Sequence, residues 1–135
     1  MYHKRVMELF LNPLNVGEIV KPSARVEVED IICGNVIKLF LQIENEVIID
    51  AKFKAFGCPV TIAACSLATQ IITNLQVEEA LELRFEQILV ELVSVPEEKI
   101  VCVQAVVKAV QEAIDYHYKK QEKLTKVKKN KLEEE

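Results

Sequence analysis

Apolar residues recur along this chain with two different periods, and the change of period marks the change of structure. Residues 2 to 11 place Val6, Met7, Phe10 and Leu11 at helical spacing, which predicts a short amphipathic helix. Asn12-Pro13-Leu14-Asn15-Val16-Gly17 reads as a loop, because proline pushes the residue before it out of the α region and Gly17 is free to take positive φ. From Ser23 the period drops to two. Ser23 to Glu29 sets Ala24, Val26 and Val28 against Arg25, Glu27 and Glu29. Val36 to Ile43 aligns Ile37, Leu39, Leu41 and Ile43, and Val47 to Phe56 aligns Ile49, Ala51, Phe53 and Ala55. Such alternation marks strands with one buried face. Asp30 to Asn35 separates the first two, and Glu44-Asn45-Glu46 forms the hairpin between the second and third. Connections this short leave no room for parallel crossovers, so the three strands predict one antiparallel sheet.

After Gly57 the helical period returns. Residues 59 to 75 carry Ala64, Leu67, Ala68, Ile71, Ile72 and Leu75 on a broad stripe, and Val77 to Leu83 and Phe85 to Leu92 read as two shorter helices. A last helix runs from about Glu97 toward Lys120, with Val103, Val106, Val107, Val110 and Ile114 facing inward. Its β-branched content lowers helix propensity, so packing must hold it. The pattern predicts an α+β fold, a three-stranded antiparallel sheet with helices on one face, in the order α-β-β-β-α-α-α-α. Residues 1–118 form the expected domain, and residues 119–135 a charged helical extension or tail.

Composition narrows the class. A chain of 135 residues with half its residues hydrophobic, three glycines and four prolines suits one regularly structured domain. No apolar run approaches the roughly 18 residues of a membrane span. The opening MYHKRVMELF lacks a signal-peptide core, so a cytoplasmic protein without a membrane partner is expected. The net charge of −4 hides an asymmetry: residues 1–117 carry 10 Lys/Arg against 17 Asp/Glu, and residues 118–135 seven Lys against four Glu. An acidic body argues against nucleic acid as a partner, which would require a basic face. The tail is either a basic arm for an acidic partner or a solvated helix end.

The four cysteines have no secretory context, which favours metal binding or catalysis over disulfides. Cys58 follows Gly57, where the backbone turns, and precedes Pro59, suited to the first position of a helix. A thiol there meets the unpaired N–H groups and dipole that favour its thiolate; the competing interpretation is a small buried hydrophobe. Cys33 lies in the turn Ile32-Cys33-Gly34-Asn35 and Cys102 in the first turns of the last helix. Three cysteines at element ends can converge at one end of the sheet, although their spacing is not a zinc-finger pattern. Cys65 sits two turns beyond Cys58, about 10 Å away, too far to share one ion, and reads as a buried structural residue. His3 and His117 read as surface or packing residues. Lys99, one turn before Cys102, either stabilises a thiolate or a bound cluster, or is solvated beside Glu97 and Glu98. Three thiols without an obvious fourth donor suit a labile or catalytic site better than a closed structural one.

Four segments together resemble one family: the Asn12-Pro13-x-Asn15-x-Gly17 loop, the Cys33-Gly34 turn, the run Phe53-Lys54-Ala55-Phe56-Gly57-Cys58 into the Ile62-Ala63 helix, and Lys99-Ile100-x-Cys102. Over about residues 2–118 the chain resembles the iron-sulfur cluster assembly scaffolds of the IscU type, also found as the N-terminal domain of NifU. The resemblance implies a scaffold and carrier rather than an enzyme. Cys33, Cys58 and Cys102 would accept sulfur from a cysteine desulfurase and hold iron or a nascent [2Fe-2S] cluster, with zinc in the purified protein, before passing the cluster to acceptor apoproteins. Lys99 and Asn35 would lie just outside the ligands. The chain departs from the family at Asn35, where aspartate is usual, at Val101, where IscU-type members have histidine, and at Pro59, where glycine is common. The family's chaperone-docking motif survives only as Pro96 and Lys99 in Val95-Pro96-Glu97-Glu98-Lys99, so an Hsp70-type chaperone is not assumed. The fourth ligand is left to a second subunit in a homo-oligomer, a partner, solvent or an acidic side chain. Two rival functions stand beside the scaffold: a zinc-bound sulfur-transfer protein, and a relative that has lost the chemistry and acts as a binding module.

Overall fold

The hairpin sets the register of the sheet. In the computed structural model, which describes residues 2–134 and the side chains of residues 2–126, Asn45 and Glu46 both have positive φ (52° and 62°). They form the two-residue turn whose twist matches antiparallel strands. The expected three-residue hairpin is thus one residue shorter. Strands β1 (Ala24–Asp30), β2 (Asn35–Glu44) and β3 (Val47–Phe56) form an antiparallel sheet in the order β1-β2-β3. Just beyond the hairpin the register slips, with Gln42 opposite Asp50 but Ile43 opposite Ile48. This β-bulge leaves Ile49 as the extra residue. Ile48 is therefore fully buried and Ile49 is 42% exposed, the reverse of what alternation along β3 predicts, because a bulge shifts the period by one.

Helix α1 (Lys4–Leu11) buries Val6 and Leu9, while Leu11, expected on its inner face, is exposed. The following loop runs along the open edge of β3. Gly17 N–H donates to Phe53 O (2.9 Å) and Phe53 N–H to Asn15 O (3.0 Å), while Gly17 takes a φ of 146°. An edge that would otherwise present unpaired backbone is covered. The same loop is tied to helix α2 (Pro59–Ile72) by Leu14 N–H to Ser66 Oγ (3.1 Å) and Asn15 Nδ2 to Thr69 Oγ1 (3.1 Å). Helix α2 is consequently buried nearly all round rather than along one stripe. Helices α3 (Val77–Ala80) and α4 (Phe85–Leu92) follow, α3 ending three residues before the expected boundary. Glu97–Lys99 forms a 3₁₀ turn that leads into α5 (Ile100–Glu134).

Helix α5 packs on β1 and β2, while α2 packs on β3 and on α5. Val103, Val106, Val107, Val110 and Ile114 are all buried, as their spacing predicts. Beyond Tyr118 the side chains through Lys126 are exposed. The rest of the lysine-rich stretch, residues 127–135, lies outside the described side chains. Among the described residues, no helix is long and apolar enough to cross a membrane. The end of the sheet formed by the last residue of β1 and the first of β2 carries the cysteines.

Candidate functional site

A single buried amide organises this end of the molecule. Asn35 opens β2 and pairs with Asp30, the last residue of β1. Its Nδ2 donates to Cys102 Sγ (3.4 Å), and its Oδ1 accepts from the Cys58 N–H (3.3 Å). One side chain thereby joins the sheet to the starts of α2 and α5, and both of its polar atoms are satisfied, as burial demands. The arrangement explains Gly57: a Cβ there would collide with Asn35 Oδ1. Gly57 is absent from the positive-φ residues, so close approach requires this glycine, whereas the sequence suggested a sharp turn. The left-handed turn residue is Gly34 (φ 70°).

Cys58 is the N-cap of α2, followed by Pro59 at its first position. Its sulfur lies 3.4 Å from Thr61 Oγ1 and 3.7 Å from Cys102 Sγ. Partial burial resists ionisation of Cys58. The Thr61 hydroxyl and N–H, the Cys102 thiol and the Val60 N–H all favour the thiolate and prevail, so its pKa is lowered. Cys102 is fully buried and forms the floor on which Cys58 and Asn35 meet.

Cys33 occupies the turn between β1 and β2. Asp30 folds this turn: its Oδ1 accepts from the N–H groups of Ile32 (3.1 Å) and Cys33 (3.4 Å), and its carbonyl from Gly34 N–H (2.7 Å). Loss of solvent, the neighbouring Cys102 thiol and the Asp30 carboxylate push the Cys33 thiol up to about 11. Ionisable groups are crowded here. Lys99 answers them: the charge of Cys58 above all, followed by Tyr2, Cys102 and Cys33, raises its pKa and keeps the ammonium charged. Ile31 and Ile32 on the turn and Phe56 before Gly57 are 92%, 88% and 78% exposed, an apolar rim around the thiols.

The remaining candidates lie elsewhere. Cys65 is buried, and burial alone drives its thiol far above the ordinary range. His3 caps α1 by accepting from Arg5 N–H (3.0 Å). His117 contacts Glu46 Oε1 (3.1 Å) at the hairpin, the opposite end of β2 and β3. The geometry thus gathers Cys33, Cys58, Cys102, Asn35 and Lys99 and leaves out Cys65 and both histidines. Among the described residues, no three His, Cys, Asp or Glu side chains stand close enough to hold a metal ion as they are. Closing the three thiols on one ion requires a rearrangement at this end of the sheet. The sequence reading passed over Asp30 and Thr61. The Asp30-x-x-Cys33-Gly34 spacing could have revealed the former, because aspartate commonly accepts from backbone N–H groups two and three residues on.

The class is an α+β domain that brings three free cysteines to one end of a three-stranded antiparallel sheet. Residues 1–124 match the family model described as the NifU-like N terminal domain. The iron-sulfur cluster assembly scaffold protein IscU of Rickettsia prowazekii is 39% identical over 127 residues, covering 90% of this chain and 96% of that protein. The iron-sulfur cluster assembly scaffold protein IscU 1 of Archaeoglobus fulgidus is 32% identical over 135 residues, 100% of this chain and 88% of that protein. A crystal structure of a nitrogen-fixing NifU-like protein, N-terminal part, from Brucella abortus shares the fold with a TM-score of 0.72 at 18% identity, covering 87% of this chain and 94% of that one. The chain belongs to the NifU-like N-terminal domain family.

Proposed function

We propose that this protein is a scaffold on which iron-sulfur clusters are assembled and from which they are handed on, with Cys33, Cys58 and Cys102 as sulfur acceptors and cluster ligands. The observation that carries this is the contact of Cys58 and Cys102, 3.7 Å apart, beside a third thiol on a turn, in a family whose relatives are named as iron-sulfur scaffolds. The donor set fits the cargo, since soft thiolates select iron-sulfur clusters, iron and zinc over hard cations. The lowered pKa of Cys58 supplies a thiolate for ligation and for accepting sulfur. Lys99 offsets the charge that thiolates and bound sulfide bring. A cysteine desulfurase as sulfur donor and acceptor apoproteins as recipients follow from a scaffold role, and the exposed Ile31, Ile32 and Phe56 offer apolar surface beside the thiols where such partners can dock. The carried species is a [2Fe-2S] cluster in this reading. Residues 1–118 form the functional unit.

The test is anaerobic assembly. The purified protein, a cysteine desulfurase, cysteine, ferrous iron and a dithiol reductant, which supplies the electrons that take persulfide sulfur to sulfide, should give iron-sulfur absorption that passes to an apo-ferredoxin when one is added. Zinc retained with persulfide and no cluster would replace the scaffold by a sulfur carrier. Failure to bind either metal or desulfurase would leave only a binding module.

A further inference from the structure

Asp30 carries an unexplained atom. Its Oδ1 is spent on the Ile32 and Cys33 N–H groups, which hold the carboxylate in place. Its Oδ2 is buried with no hydrogen-bond partner. Buried carboxylate oxygens without a partner are rare and call for an explanation, an ion being one. Three observations place Asp30 beside the elements that carry the thiols. Asp30 is the register partner of Asn35, whose amide touches both Cys58 and Cys102. The Asp30 carboxylate is fixed on the Cys33 turn itself, its Oδ1 accepting from the Cys33 N–H (3.4 Å). Asp30 also lines a cavity of about 240 Å³ together with Val101, Gln104 and Lys108, against the turn of α5 that bears Cys102. The ammonium in that lining, Lys108, pairs with Glu112 (3.9 Å).

Several other candidates are engaged elsewhere or carry no donor atom. Both polar atoms of Asn35 are engaged. Val101 has no donor atom, His3 Nδ1 caps α1 by accepting from Arg5 N–H, and His117 Nε2 contacts Glu46 at the opposite end of the sheet. We propose that Asp30 is the fourth ligand, its Oδ2 giving one oxygen donor to the ion or nascent cluster held by Cys33, Cys58 and Cys102. Zinc and iron sites accept carboxylate oxygen beside thiolates. Asp30 and Cys33 share one turn, tied by the Cys33 N–H to Asp30 Oδ1 bond, so the fourth donor is carried by the same turn as the third thiol. This proposal rests on the scaffold reading above.

Cobalt(II) binding to the full chain under anaerobic conditions separates the two. Asp30→Asn keeps the Oδ1 acceptor and the shape of the turn but replaces the free oxygen with a nitrogen that does not ligate. It should weaken cobalt(II) binding by at least about tenfold and shift the ligand-field bands, while the thiolate-to-cobalt charge-transfer intensity stays at its three-thiolate value. Asp30→Cys should add charge-transfer intensity in proportion to a fourth thiolate, a gain that a purely structural role for Asp30 would not produce. Affinity and spectra unchanged in both variants, with binding still lost in Cys33→Ser, would overturn the Asp30 assignment and leave the scaffold standing. Cobalt(II) binding that none of Cys33→Ser, Cys58→Ser and Cys102→Ser weakens would overturn both.

Discussion

Cys58 and Cys65 are the same residue type on one helix, seven positions apart, and the fold gives them opposite chemistry. Cys58 caps α2, where Thr61, Val60 and Cys102 favour its thiolate and lower its pKa. Cys65 is sealed in the interior, where burial alone raises it. Their common face along the helix, as the sequence places them, counts for less than their distance from its end. Free N–H groups occur only in the first turn of a helix, so a thiol gains them there and nowhere further along. The lesson extends to Cys33, whose thiol loses solvent and is crowded by the Cys102 thiol and the Asp30 carboxylate, so that its pKa rises. Ligand quality at this end is a property of the particular element end rather than of cysteine.

The comparison can be broken first by alkylation. Iodoacetamide at neutral pH should label Cys58 in the folded protein. Cys65 should react at least about 1,000-fold more slowly, because labelling it requires opening the core. Mass spectrometry of the digested protein measures both rates, and similar rates would erase the distinction. The next effect tests the packing that holds Cys58 in place. Gly57→Ala should cost about 1–3 kcal/mol in urea denaturation, the usual range for a forced overlap in a packed site. Truncating the obstructing side chain in the double variant Gly57→Ala/Asn35→Ala should make the two losses clearly non-additive.

Alkaline pH sharpens the contrast further. An acid whose folded pKa is raised stabilises the fold below its unfolded value, and that contribution is lost as pH rises toward the folded value. The ordinary thiol value is 9.0, with Cys33 at about 11 and Cys65 higher still. Stability should therefore fall above pH 9, with Cys65 contributing up to about 1.4 kcal/mol per pH unit. Cys65→Ala should flatten that decline. Cys58 acts with the opposite sign, its contribution being present above the ordinary thiol value and lost as pH falls through its lowered one. The smallest effect belongs to Lys99. Lys99→Gln should raise the pH midpoint of Cys58 alkylation by a few tenths of a unit, and high salt should abolish the difference, since a partly exposed charge is screened.

Much of this architecture is legible in the sequence, because alternation in β1 and β2 and the helical spacing of α4 and α5 are local signals. Phe85–Leu92 matches its expected bounds residue for residue. Ile49 was misplaced because a bulge is a property of two strands, and one strand read alone cannot show it. Helix α2 gave a stripe in sequence but is enclosed, since the covering loop at residues 14–17 makes its contacts through Ser66 and Thr69, positions that look solvent-facing in a linear pattern. At the site, element ends announced Cys33, Cys58 and Cys102. The sequence did not disclose that Asn35 clamps two of these thiols or that Gly57 is needed for its approach. Both are contacts across more than twenty residues, and an asparagine beside a glycine turn resembles an ordinary turn former. Asp30 was hidden in the same way, as a residue that ends a strand.

The central claim is that thiols at one end of the sheet assemble the cluster and the thiol inside the helix does not. Iron and acid-labile sulfide per chain after anaerobic assembly, measured on Cys58→Ser and Cys65→Ala beside the unmodified protein, test it most directly. Cys65→Ala should hold as much of both as the unmodified chain, and Cys58→Ser should fall to background while remaining folded. Full iron and sulfide in folded Cys58→Ser, or their loss in folded Cys65→Ala, would contradict the account.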